Sequence, residues 1–413
     1  MSSEIVMERL RKFLPILFLL LCALCAPNWP RSFVARHLSA DFSVFWAAAQ
    51  VALDAPELIY NDVAVTAKQA DAIGAVAGIR PWAYPPAALL PLLPFGALPY
   101  GAALILFVTV SLGLFLLSTR VLFERRKLLA LGLIILSQPV IFAALNGQMV
   151  FVIGALVISA LIWLPTAPVR AGILLGIAAA IKPQLLLFAP LALLADRQYR
   201  ALGASLCAGG GMILLSLMLG PERWVEWLAA LARFKDTVAS LDILYRNVTP
   251  TGMLWFLGVT GPAQWVANLA FSLVGGWIVW RVFRHSIDVP TRLVAMVGGA
   301  LFAAPYAMNY DLVLLIPATV AFMVRDHDSR ASLLPLAAGG LLLVADGIWA
   351  PAATMLFIAV VVKDYVWPVA DARQSPASPG AAPPPSTRRE AGGVEGIVAR
   401  TVRRSPIAAA DAR

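Results

Sequence analysis

The sequence predicts an all-α polytopic membrane protein, and three observations carry that prediction. Of its 413 residues, 60% are hydrophobic and only 13% are charged, against roughly 25% charged in a typical soluble domain. Mean hydropathy is +0.81. The apolar residues come in long unbroken runs such as 128–145 and 149–164. A soluble fold of this length needs far more polar residues to cover its surface. A membrane barrel would alternate apolar and polar positions in strands of about 10 residues, and these runs do not. The composition therefore excludes a soluble globular enzyme, a disordered chain and a disulfide scaffold.

The elements follow in order. Arg9, Arg11 and Lys12 precede an apolar run at 13–26, read as a retained signal-anchor helix rather than a cleaved signal. Further membrane segments fall at 84–98, 100–119, 128–145, 148–165, 171–195, 201–220, 251–283, 291–305, 311–324, 331–346 and 349–363. This gives about 10–13 membrane helices, several below the ~20 residues of a straight span, so broken or re-entrant helices are expected. Segment 171–195 is the clearest case. Lys182-Pro183 sits in its middle. Pro removes a backbone donor and Lys is costly in hydrocarbon, so two half-helices should meet there.

Charge then orients the chain. With a cytoplasmic N-terminus and a hairpin at 171–195, 23 of the 32 Lys and Arg fall on the cytoplasmic side and 9 outside, as the positive-inside rule requires. The net charge of +9 is thus largely topogenic and argues against nucleic acid as a partner. The expected location is the inner (plasma) membrane, with both termini cytoplasmic. Two hydrophilic stretches, 28–83 and 221–250, fall outside. The first contains an apolar helix at 42–53, expected to lie along the interface. The second contains Trp224 and Trp227, expected as interfacial anchors. Residues 1–368 form the membrane domain. From Val369 aromatics disappear and Pro, Ala, Gly, Ser and Arg dominate, so 369–413 is expected to be a disordered cytoplasmic tail.

Motifs of chemistry are sparse. There is no Walker motif, no dinucleotide fingerprint, no HExxH and no nucleophile elbow. His37, His285 and His327 are too scattered for a metal cluster, and Cys22, Cys25 and Cys207 lie in apolar segments as small hydrophobes. Asn247-Val248-Thr249 matches a glycosylation sequon, a triplet common by chance.

On this topology, polar residues that membranes exclude gather at the outer face. They are Asp41, Tyr84, Asn146, Gln148, Lys182, Gln184, Tyr306, Asn309, Tyr310, Asp311 and Asp346. Their convergence suggests one outward cavity. Asp41 reads as a general base with apolar neighbours or as a helix cap. Lys182 reads as a phosphate ligand or as a snorkelling side chain. Asn146-Gly147-Gln148 fits a substrate contact or simple turn chemistry. Tyr84 would stack on a sugar or anchor at the interface. The stretch 305–311 binds substrate or forms a loop.

At these residues the chain resembles glycosyltransferase family 87, a family of the GT-C fold. The resemblance runs through Asp41-Phe42-Ser43-Val44-Phe45, then Tyr84-Pro85-Pro86, then Gly147-Gln148, then Lys182-Pro183, in order, and covers roughly 10–365. It implies a GT-C-like bundle and a hexosyltransferase, mannosyltransferase-like, using a polyprenyl-phosphate sugar. Asp41 would take the proton of an acceptor hydroxyl, with inversion at the sugar. Lys182 would steady the departing phosphate. Tyr84, Asn146, Gln148, Gln184, Tyr306, Asn309 and Tyr310 would bind substrate. No cofactor or metal is implied beyond the lipid-linked donor as substrate. The other partners would be membrane lipids and a glycolipid or glycan acceptor. A transporter or lipid flippase would use the same polar residues as a path, and a noncatalytic assembly partner is a third reading.

Overall fold

In the computed structural model the described residues are 40–74, 80–123, 126–240, 246–324 and 334–366. The expected signal-anchor at 13–26 and the tail at 369–413 lie outside them. The described residues form helices joined by short 3-10 turns; their only β pairing is an isolated antiparallel bridge between Asn247 and Met308.

The chain is an all-α polytopic membrane protein. Among the described residues, three helices are long and apolar enough to cross a membrane: Tyr100–Leu122, Tyr199–Leu219 and Pro262–His285. A bent pair, Lys127–Leu136 followed by Gln138–Asn146 with 59° between the halves, meets the same criterion when taken together, as a broken span or a re-entrant loop does. The bend falls where Pro139 opens the second half, because a proline cannot continue the preceding ladder. Other apolar helices, such as Val150–Trp163 and Pro168–Ile181, are 14 residues each, about 21 Å at 1.5 Å per residue and below a straight crossing.

We number the helices as follows: α1 Ala40–Asp54, α2 Asp62–Ile73, α3 Tyr100–Thr119, α4 Lys127–Leu136, α5 Gln138–Asn146, α6 Val150–Trp163, α7 Pro168–Ile181 and α8 Ala189–Ala195. Then come α9 Tyr199–Ser216, α10 Glu222–Ser240, α11 Pro250–Phe256, α12 Pro262–His285, α13 Val289–Ala303, α14 Ile316–Val324, α15 Leu334–Leu343 and α16 Ala350–Val366.

Small residues set the closest packing. Gly172 of α7 faces Ala201 of α9, and Gly176 faces Ser205 and Gly209. Positions rise together on both helices, so α7 and α9 run parallel. Residues 182–198 must therefore return the chain to its starting end. This confirms the break at Lys182-Pro183. Lys182 leaves the helix at φ −137° and ψ 74°, and Pro183 opens a 3-10 turn that leads into α8. The two ends of the return are far apart. Asp196, just after α8, forms a two-pronged ion pair with Arg292 near the start of α13, at 2.8 and 2.9 Å. Lys182 pairs with Asp311, beyond the end of α13. We call the end with Lys182 the site end.

The parallel contact permits a prediction. A Cβ on Gly176 would overlap the backbone of α9. Gly176→Leu should lower stability by about 1–3 kcal/mol through overpacking, read as a drop in thermal midpoint in detergent. Gly203→Leu, where a Cβ meets open space, is the control.

Several expectations change. Segment 84–98 is not a membrane helix: it holds a 3-10 turn, Pro86–Leu89, and a single helical turn, Leu93–Gly96. Its prolines remove the donors a continuous helix needs. Segment 251–283 divides into α11 and α12, separated by Gly258 and Gly261, both at positive φ. The helix at 42–53 does not lie along an interface. Phe42, Phe45, Trp46, Ala47 and Ala48 are buried, and α1 packs on α2 and on Leu93–Gly96. Trp46 and Gln50 donate to the carbonyls of Leu98 and Gly96. Nor are Trp224 and Trp227 free anchors. They donate to Ser216 and to the Ala83 carbonyl, while Val225 and Leu228 hold the exposed face of α10. Asn247 is 2% exposed and accepts from Thr249 and Ala307, so the sequon serves as a loop pin instead of an accessible glycan site.

Candidate functional site

Asp41 enters the site on the first turn of α1, where helix dipoles favour an anion. Its carboxylate accepts a 2.5 Å hydrogen bond from Gln148 Nε2. Burial pushes its carboxyl above the usual carboxylate range; the Gln148 bond and the positive charges of Arg80 and Lys182 oppose that shift, and Asp311 adds to it. Gln148 sits after α5, whose C-terminus is closed by Gly147 in the left-handed conformation at φ +66°. A side chain there would run into Phe42. Glycine therefore lets the α5–α6 turn press against α1, and this contact brings residues 41 and 148 together.

Lys182 supplies the positive counterpart. It is 3% exposed and ion-paired with Asp311, also 3% exposed. The other oxygen of Asp311 accepts from Met308 N–H at 3.0 Å. The ammonium stands over the rings of Tyr310 and Tyr84, 5.2 and 5.9 Å from their centroids. Such placement favours a desolvated cation. Tyr84 is held by its own carbonyl, which accepts from Tyr60 Oη at 2.8 Å. Phe45 meets the Tyr84 ring edge-on at 5.4 Å. Tyr310 stacks on Phe142 at 6.1 Å.

The remaining expected residues divide. Asn309 donates to Asp346 at 2.9 Å, and its buried Oδ1 has no hydrogen-bond partner among the described residues. Tyr306 lies edge-on to Phe234 of α10. Asn146 is buried and turns its amide back on the Phe142 carbonyl. Gln184 is exposed on the 3-10 turn after Lys182, turned away from the groups around Asp41 that are described above. Two cations escaped the sequence reading as site groups. Arg80 acts on Asp41 electrostatically, and Arg246 lies over Phe142 at 5.1 Å. No motif in their local sequence marks them. Among the described residues, no cluster of His, Cys, Asp and Glu could hold a metal.

Fold and site together define an integral membrane protein with a cluster of chemistry-bearing side chains at one end of an all-α bundle: a carboxylate under an amide, a paired lysine and a wall of tyrosines. The chain matches the model of glycosyltransferase family 87 over residues 82–317, more than half its length, and belongs to that family. It is thus a glycosyltransferase. No curated protein and no solved structure matches it. The matched region holds Gln148, Lys182 and Asp311 but not Asp41. Asp41 is tied to the matched region by its hydrogen bond to Gln148 and by the charges of Lys182 and Asp311.

Proposed function

We propose that the protein moves a hexose, mannose in the first instance, from a polyprenyl-phosphate donor to a glycolipid or glycan acceptor, with inversion. The observation that carries this reading is the pairing of a partly buried carboxylate, Asp41, with a lysine close enough to act on it electrostatically. Asp41 is the base and Lys182 meets the phosphate. The acceptor O–H bond breaks and its proton passes to Asp41 as the oxygen bonds to the anomeric carbon. The bond from that carbon to the phosphate oxygen breaks on the opposite face, and its electron pair leaves with the lipid phosphate. A phosphate ester leaves without a strong general acid, and charge stabilisation by a buried cation suffices.

An apolar groove supports a lipid donor. It has a volume of about 140 Å³ and is lined by Leu92, Phe95, Phe107, Ser111, Met149 and Ile181 among others. Met149 adjoins Gln148 and Ile181 adjoins Lys182, so a chain in the groove would end its phosphate at the lysine. The positive-inside distribution expected from the sequence supports a site on the extracytoplasmic face of the plasma membrane. Family membership favours transfer over transport as the use of these polar groups.

Membrane vesicles of defined orientation test this. Labelled polyprenyl-phosphate mannose should be consumed and a labelled product formed, with access from the extracytoplasmic side. Transfer from a nucleotide sugar alone, or from the cytoplasmic side alone, would overturn the reading.

A further inference from the structure

We propose that Gln148 is the positioning residue of the base: its amide N–H holds Asp41 in place and ionised, while its amide oxygen takes a hydroxyl of the acceptor. This rests on Asp41 as the base. Gln148 is 1% exposed, and its Nε2 reaches Asp41 Oδ2 across 107 positions of sequence. Its Oε1 is buried and has no hydrogen-bond partner among the described residues. An orphaned buried amide oxygen is rare in a folded protein and calls for an explanation. Turning the amide over would not remove the orphan; it would set Oε1 against a carboxylate oxygen, two acceptors face to face. The orientation is therefore fixed by Asp41, and the free oxygen waits for a donor.

The partner of that oxygen must carry a proton to give and must come and go, since no described protein group fills the position. A sugar or alcohol hydroxyl fits both conditions. Bound there, that hydroxyl keeps its proton on the amide oxygen and orients the acceptor, so that a second, reacting hydroxyl turns its proton to the carboxylate oxygen of Asp41 that Gln148 does not hold. The turn is shaped for this contact. Gly147 at φ +66° lies against Phe42, so that the next residue meets Asp41. The other groups acting on Asp41 are the cations Arg80 and Lys182, with Asp311 and the phenols Tyr84, Tyr306 and Tyr310. Lys182 is committed to Asp311, which leaves the Gln148 amide as the neutral donor in direct contact with the base.

The test uses Gln148→Met, which keeps length and loses the hydrogen bonds, and Gln148→Glu, which keeps shape and adds a like charge. For the full-length protein, pH profiles of kcat/KM are measured with donor and acceptor varied separately. In Gln148→Met the acid limb should move up by about one pH unit. The acceptor KM should rise about tenfold or more, with the donor KM unchanged. Gln148→Glu should move the limb further, because two carboxylates cannot both ionise cheaply at this distance. Unmoved limbs in both variants, with wild-type thermal midpoints, would overturn the proposal. An infrared titration of the carboxyl band that disappears in Asp41→Asn reads the same proton without turnover. A higher midpoint in Gln148→Met supports the proposal even if Asp41 is not the base; an equal midpoint sinks it.

Discussion

Asp41→Asn should lower sugar transfer by about 10²–10⁴-fold, the range general-base catalysis supplies, with little change in stability. Asn keeps the shape of the side chain, and Gln148 can still donate to its amide oxygen. What disappears is the proton acceptor. The loss should fall on kcat, and donor binding should survive, because in the proposed mechanism the donor phosphate is held by Lys182 and not by Asp41. The pH dependence carries the sign of the same argument. Burial raises the Asp41 carboxyl above its ordinary range, and only the ionised form accepts a proton. Activity should therefore decline as pH falls, beginning above the ordinary carboxylate range. Donor-binding assays beside turnover in vesicles check both statements. Wild-type turnover in a well-folded Asp41→Asn protein would remove Asp41 from the mechanism.

The second expected result concerns the Lys182–Asp311 pair. Both members are buried, and removing one partner of a buried pair leaves an uncompensated charge at a cost of about 3–5 kcal/mol. Lys182→Met should sit at the upper part of that range, because among the described residues it leaves the Asp311 carboxylate with only the Met308 N–H as hydrogen-bond partner. Asp311→Asn should be milder. The freed ammonium still faces the Tyr84 and Tyr310 rings, and such contacts contribute about 0.5–2 kcal/mol. The double variant Lys182→Met/Asp311→Leu replaces the pair with apolar groups of similar size, which is often near neutral for stability. Its thermal midpoint should recover while transfer stays lost. Recovery of transfer as well would limit the pair to holding the fold. Asp311→Asn should bind polyprenyl phosphate more tightly than wild type, since the product no longer competes with a carboxylate for the lysine.

The pair also shows why part of the site was hidden. Lys182 and Asp311 both stand out as charges in apolar sequence, but 129 positions separate them, and no local pattern says that they touch. The same holds for Asp41 and Gln148. Arg80 and Arg246 belong to no motif, so only their proximity in the fold brings them to the site. Asn146 looked equivalent to Gln148 in the turn, yet its amide folds back on its own helix. The difference is one of direction, which a left-handed glycine between them decides.

The sequence by itself determined the class of protein. An excess of apolar residues in uninterrupted runs leaves helices in lipid as the stable solution, because backbone groups in hydrocarbon must satisfy one another. It also determined the break at Lys182-Pro183, since proline and a buried charge both oppose a continuous helix there. Only the tertiary structure decided which segments form unbroken helices long enough to span, and which polar residues meet. Hydropathy reports how a residue partitions, one position at a time, whereas a site depends on contacts between helices. Those contacts are set by small residues such as Gly147 and Gly176, whose close approaches leave no mark on hydropathy.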